Sequence, residues 1–532
     1  MELLDLYPCK GVYLPGEVIT LKAVIGSRGA SKGELSLTCY HLAQAIETYH
    51  FPVFLEDGCQ ALPISFILDS KTPRGYGIEA ELVDDLSNET SVESTAFDVQ
   101  ESWLSYPRYG FLTDFQPKRT GESALKWLAC FHINGLQFYD WQYRHDHLLP
   151  PRESYTDPLG RELSLTTVRT LVETAHEKGI AAMAYLAVYA ASLPFAEEHQ
   201  AWRLFDDQGQ PINFEGFLGL MDPSPGSPWV DHLLKECERT LAGLPFDGLH
   251  IDQYGEPKIG FKQSGEPIDL PAAFRTFIES VKKIRPEISA TFNAVKNWPI
   301  DELAESPQDF VYIELWPETP TYQDVFEIVH RGREKSGGKP VVIAQYIPAE
   351  HVANIRLSDA LIFSLGGSRI ELGEEGRLLA DPYFPKHQSI PEKLQQVLQC
   401  YYDFAVRYGE LIGPSSETLV DTDISLPESL VPIVRRRGDW VALHLINFSG
   451  LEAAQWCDMH PAPQKLLDLS ISLPKDWNVR SAWFASPDME RIGLSRLEIS
   501  NEDERIHVVV PSLEYWSMVV LEIEEDQVSI RG

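Results

Sequence analysis

The sequence predicts a multidomain protein in which a central (β/α)8 TIM barrel lies between an N-terminal and a C-terminal β-sandwich. Three observations predict it. The chain has 532 residues, more than one ordinary domain needs. Residues 1–100 and 418–532 carry short, alternating apolar segments broken by turn signals. Between them, residues 101–417 alternate short apolar runs with amphipathic helical stretches, and eight such runs can be placed.

The elements follow in chain order. Residues 18–25, 34–41 and 78–83 read as strands of the first β-domain, with turns at Pro15-Gly16 and Pro73-Arg74-Gly75. The barrel strands are expected at 109–115, 135–141, 181–188, 248–253, 290–294, 310–316, 340–346 and 360–365. Helical periodicity marks 163–178, 195–205, 229–242, 272–284, 322–335, 351–357 and 392–408. A doubly wound open sheet is the rival, but its first strand would feed a Gly-rich phosphate loop. Here that strand runs into Thr113-Asp114-Phe115-Gln116 instead. Residues 430–435, 440–447, 479–484, 506–510 and 516–523 return to strand texture.

Composition narrows the function classes. A formal net charge of -34 argues against nucleic acid and against anionic membrane surfaces as partners. The seven cysteines are scattered, with no C-x-x-C pair, so neither a zinc site nor a disulfide framework is expected; buried free thiols are. No metal and no cofactor is expected. The chain opens Met1-Glu2-Leu3-Leu4-Asp5 without a basic segment leading into an apolar one, which reads as cytoplasmic unless a leader has been trimmed. No apolar run is long enough to span a bilayer. The sequence specifies no oligomeric state.

A barrel of this kind places its active site at the C-terminal ends of the strands. The residues expected there are carboxylates, amides and aromatics, with few Ser-His pairs and no cluster of His or Cys. That mixture suits a sugar, since aromatic faces stack on C–H surfaces and polar groups bond hydroxyls. Asp252 ends the apolar run Phe246-Asp247-Gly248-Leu249-His250-Ile251, and alternation puts His250 and Asp252 on one face. Glu314 interrupts the apolar segment 310–316, a costly placement unless the group is paired or functional. The two strands stand two apart, so both carboxylates can face one pocket. Such a pair performs glycoside hydrolysis: one attacks the anomeric carbon, the other protonates the leaving oxygen and then activates water. Asp252, among polar neighbours, suits the nucleophile; Glu314, among Tyr312, Ile313, Leu315 and Trp316, suits the acid/base. Tyr139, Asp140, Trp141, His145, Tyr185, His250, Asn293, Trp298, Trp316, Gln345 and Glu371 are the remaining candidates for substrate binding.

Residues 109–115, the segment from Asn134 to His145, residues 246–252 and the Glu314-Leu315-Trp316 step resemble glycoside hydrolase family 66, of dextranases and cycloisomaltooligosaccharide glucanotransferases. The resemblance spans nearly the whole chain. It implies an immunoglobulin-like N-terminal domain, a retaining mechanism on α-1,6-linked glucan such as dextran or isomaltooligosaccharides, Asp252 as nucleophile, Glu314 as acid/base and Asp140 as a third important carboxylate. Glucanotransferases of the family typically carry a carbohydrate-binding module after the seventh strand. Tyr346-Ile347-Pro348 leaves no room for one, which favours a dextranase-like, endo-acting hydrolase. A transglycosylase and a non-catalytic carbohydrate-binding protein are the alternatives.

Overall fold

A computed structural model describes residues 1–420, 422–502 and 504–524. The chain is multidomain and organised around one large curled sheet. Its parallel strands run Tyr109–Leu112, Gly135–Phe138, Ala181–Ala187, Gly248–Asp252, Ser289–Val295, Val311–Glu314 and Val341–Ala344, each paired with the next. The last is split into Gly367–Ile370 and Leu372–Gly373. Its first part pairs with Val341–Ala344, and Gly373 pairs in parallel with Phe111 of the first strand, so the curl brings the two ends of the sheet together.

The first seven strands fall where alternation and apolar runs place them. The eighth does not. Residues 360–364 belong to the helix Val352–Ser364, which Leu365 caps, and the strand begins only at Gly367. The reason is burial on every side: from Ala353 to Ser364 all residues but Arg356 are buried. A helix without a polar face has no 3.6-residue period, and a short apolar run inside it reads as a strand.

Side chains alternate strictly across the curled sheet. Tyr109, Phe111, Met183, Phe310, Tyr312, Val342, Ala344 and Ile370 form a cluster on the inner face. The outer face packs against the helices Leu165–Glu177, Pro228–Gly243, Leu270–Ile284, Tyr322–Lys335 and Glu392–Arg407 in one continuous core. Most of these helices start on a side-chain cap: Ser164, Ser227, Asp269 and Thr321 each accept a backbone N–H of the first turn.

Residues before Tyr109 form two antiparallel sheets around a separate apolar cluster that includes Leu21, Leu37, Ile78 and Phe97. Residues after about 417 do the same around Leu443, Ile471, Val508 and Val519. All seven cysteines are free. Only Cys39 and Cys237 are buried, and Cys59 is exposed, so the expectation of uniformly buried thiols is corrected. Cys59 sits at the start of strand Gly58–Phe66, where four successive residues face solvent.

Candidate active site

Three neighbouring strands bring three polar side chains into one row. Asp252 ends the fourth strand, Asn293 lies on the fifth and Glu314 ends the sixth. The register pairs Ile251 with Phe292 and Asn293 with Tyr312, so the inward positions alternate in step. The amide nitrogen of Asn293 donates to Asp252 Oδ1 at 2.8 Å and to Glu314 Oε2 at 2.7 Å. Sharing one donor sets 5.5 Å as the upper limit on the separation of those two oxygens.

Each carboxylate has its own further donors. Tyr185, from the third strand, donates its hydroxyl to Asp252 Oδ2 at 2.7 Å, and the Gln253 backbone N–H donates to Oδ1 at 2.8 Å. Trp316 donates its indole N–H to Glu314 Oε1 at 2.6 Å. Tyr346 also lies against Glu314 and favours its anion. Glu314 is 7% exposed, while Asp252 keeps more contact with solvent.

Burial raises both carboxyl groups above their usual range. Asp252 is pushed up to about 7, and the second cause after burial is the negative charge of Glu314. That cause vanishes once Glu314 holds a proton, and the three donors to Asp252 then favour its anion. The pair thus stores one proton more easily than none, as two interacting carboxylates must. Lys296 opposes the rise at Glu314; its ammonium lies 5.0 Å from the Trp316 ring centroid and 2.6 Å from Glu318.

Around this row stand half-buried aromatics. Tyr139 stacks on Phe384 with centroids 4.4 Å apart and leans on Tyr185 at 5.1 Å. Tyr254 stacks on Phe214 at 4.1 Å, and Trp316 meets Tyr346 edge-on at 6.3 Å. Asp140 follows Tyr139 with a φ of 52°, a left-handed conformation that turns the chain sharply at the strand end. Its carboxyl is pushed up to about 6 by burial, against the pull of Arg161, whose guanidinium holds the Asp140 carbonyl at 3.0 Å.

Of the sequence-predicted residues, Tyr185, Asn293 and Trp316 bond the carboxylates directly. Tyr139 and Asp140 stand beside them at the second strand's exit. His250 lies one layer deeper, 1% exposed, between Tyr109 and Tyr312, and burial lowers it to about 3, so it is a neutral packing group. His145 bonds Gln142 at 3.2 Å rather than either carboxylate. Trp298 packs against Phe274 and holds Gln253 through its carbonyl.

Three expectations are corrected. Trp141 is fully buried against Phe246, its indole N–H on the Tyr185 carbonyl, and offers no face to a ligand. Gln345 is fully buried, and alternation gives the inward position to its neighbour Tyr346. Glu371 lies on the outer face of the eighth strand, in a buried network with Arg369, Asp359 and Tyr402. Arg369 serves both carboxylates there, donating to Asp359 at 2.7 Å. Arg369→Ala leaves two buried acids without their cation, and a stability loss of about 3–5 kcal/mol is expected in denaturant unfolding.

Tyr346, Phe214, Tyr254 and Tyr383 were not among the candidates. Period-two alternation from Ala344 finds Tyr346, and Tyr254 lies two residues beyond Asp252. Phe214 belongs to a two-residue strand, Asn213–Phe214, between the third and fourth strands of the curled sheet, and Tyr383, whose ring lies 6.2 Å from that of Tyr139, follows the eighth; both segments are too short to carry a periodic signal. Among the described residues, no group of three or more His, Cys, Asp or Glu is arranged to hold a metal ion. No helix there is long and apolar enough to cross a membrane.

Two close acids, one shared amide and an aromatic rim can give a proton to one atom while attacking its neighbour, which is the chemistry of glycoside cleavage. The comparisons give the same class. The family model for glycosyl hydrolase family 66 matches residues 8–520, and the chain belongs to that family. It is a glycoside hydrolase by family. A cycloisomaltooligosaccharide glucanotransferase of Niallia circulans is 22% identical, covering 97% of this chain and 72% of that protein. A dextranase of Streptococcus salivarius is 21% identical, covering 92% and 73%. The fold matches the crystal structure of a Paenibacillus cycloisomaltooligosaccharide glucanotransferase complexed with cycloisomaltoheptaose, with a TM-score of 0.89, 20% identity and coverage of 98% and 99%.

Proposed function

We propose that this protein is a retaining, endo-acting hydrolase of α-1,6-glucosidic bonds in dextran or isomaltooligosaccharides, built on a (β/α)8 barrel spanning residues 101–417. Residues 1–100 are assigned to an immunoglobulin-like sandwich and residues 418–532 to a second sandwich, of which residues 421, 503 and 525–532 lie outside the described residues; separate apolar clusters support the division. The observation that carries the mechanism is the amide shared by Asp252 and Glu314. Retaining glycosidases hold their carboxyl groups about 5–5.5 Å apart, whereas inverting ones leave about 6.5–9.5 Å for a water. An upper limit of 5.5 Å between the two facing oxygens favours the first arrangement.

In the proposed reaction Asp252 Oδ2 or Oδ1 attacks the anomeric carbon as Glu314 gives its proton to the departing glycosidic oxygen. The product is a glycosyl ester on Asp252. Glu314, now an anion, takes a proton from water as the water oxygen displaces Asp252, which restores both groups. Tyr139, Tyr254 and Trp316 supply faces for sugar rings, and Asp140 accepts hydroxyl hydrogens near the cleavage point.

The linkage rests on the names of the relatives, a dextranase and a cycloisomaltooligosaccharide glucanotransferase. Water rather than sugar as acceptor rests on the short connection of residues 345–351 between Val341–Ala344 and Val352–Ser364, which holds no inserted module. The test is incubation with dextran, isomaltooligosaccharides and starch, followed by proton NMR of early products and their sizing. Linear products from the first two, appearing first as α-anomers, are expected. First appearance of β-anomers overturns retention, cyclic products overturn hydrolysis, and cleavage of starch alone overturns the linkage.

A further inference from the structure

We propose that Asn293 is the positioning residue that ties the two carboxylates into one unit, giving one amide hydrogen to each and so setting together the protonation range of both. The inference rests on Asp252 and Glu314 being the reacting pair.

Three observations carry it. Asn293 sits on the only strand between those of Asp252 and Glu314, and its nitrogen reaches both at 2.8 and 2.7 Å. Its side chain is 5% exposed, so few waters can substitute for it. Its Oδ1 is buried and has no hydrogen-bond partner. A buried amide whose oxygen goes unpaired sits in a costly orientation. Turning it over would satisfy nothing, because the oxygen would then face two carboxylate oxygens. The orientation is therefore dictated by two acids that both need a hydrogen.

A donor to an anionic carboxylate stabilises the charged form. Removing Asn293's amide withdraws one such donor from each acid, so both must shift the same way, upward. The other groups facing the pair cannot produce a joint shift. Tyr185 serves only Asp252, while Tyr346 and Lys296 act on Glu314. Tyr139, Tyr254 and Tyr312 are held well above the usual tyrosine range by burial and stay neutral. Asp140 makes no hydrogen bond to either acid; its carboxylate is met by Gln142, at 3.5 Å.

The test is the pH profile of kcat/KM on isomaltooligosaccharides for the wild-type protein, Asn293→Ala and Asn293→Ser. The acid limb reports the nucleophile losing its proton and the basic limb reports the acid losing its own. In Asn293→Ala both limbs are expected to move up by about one pH unit, the usual worth of a hydrogen bond to a charged group. Asn293→Ser keeps one hydrogen to donate and is expected to move at least one limb upward. A lowered profile with both limbs in place in the folded variants overturns the inference, as does a downward shift of either limb. If Asn293→Ala fails to fold, Asn293→Ser decides alone. Activity surviving in Asp252→Asn and Glu314→Gln would instead remove the catalytic pair itself, a separate result.

Discussion

Asp252→Asn is expected to lower kcat on isomaltooligosaccharides by about 10^4-fold or more, because no covalent intermediate can form at an amide. The structure allows this variant to fold. An Asn at 252 can still accept from the Asn293 amide and the Gln253 N–H through its oxygen. Its NH2 then faces the Tyr185 hydroxyl, which can rotate and accept. No buried polar group is orphaned. The wild-type site also crowds two acids into a protected space, pushing Asp252 up to about 7. Removing one charge relieves that repulsion, so the midpoint of thermal unfolding should be unchanged or higher, as for other active-site groups held against their own stability. Turnover is to be measured together with the unfolding midpoint. A folded Asp252→Asn that keeps more than about a tenth of wild-type kcat would remove Asp252 as the nucleophile.

The close pair of carboxylates is legible in the sequence because burial of a charge is expensive. An acid ending an otherwise apolar strand has few explanations, and both Asp252 and Glu314 met that description. Alternation then supplied direction, placing Asp252 beside His250 on the inner face. What alternation could not supply was register. Alternation makes Asn293 one lining residue among several, yet its importance comes from reaching both acids from the strand that lies between theirs, where pairing sets it opposite Tyr312 and one step beyond the Ile251–Phe292 pair. The same limitation explains the misplaced candidates. Glu371 reads as a residue beyond a strand end because apolar texture puts the strand too early, on a stretch of helix buried on every side. Once the strand starts at Gly367, Glu371 lies between its two segments and faces the helices. Gln345 and Tyr346 are neighbours, and choosing between them needed the inward phase of Ala344. Trp141 shows a third limit: an aromatic at a strand exit can stack on a sugar or prop the sheet, and only its burial against Phe246 decides.

Glu314→Gln separates the acid role from the base role. On a glucan, whose leaving oxygen needs a proton, kcat/KM is expected to fall by about 10^2–10^4-fold. On a glucosyl donor whose leaving group departs as a stable anion, such as a nitrophenolate or fluoride, bond breaking needs no proton and the first step should be little affected. Water attack in the second step then lacks its base, so the glycosyl ester on Asp252 accumulates after a burst equal to one product per site. A small anionic nucleophile such as azide needs no base and should restore turnover, forming a glucosyl azide of retained configuration. The substitution is tolerable locally: the Gln oxygen can take the Asn293 hydrogen bond, and the indole N–H of Trp316, on a half-buried ring, can turn to solvent. Equal losses on both kinds of substrate, with no burst and no rescue, would show that Glu314 holds the substrate or the fold rather than moving the proton. The contrast with Asp252→Asn, which no added nucleophile can rescue along the retaining path, assigns the two carboxylates their different work.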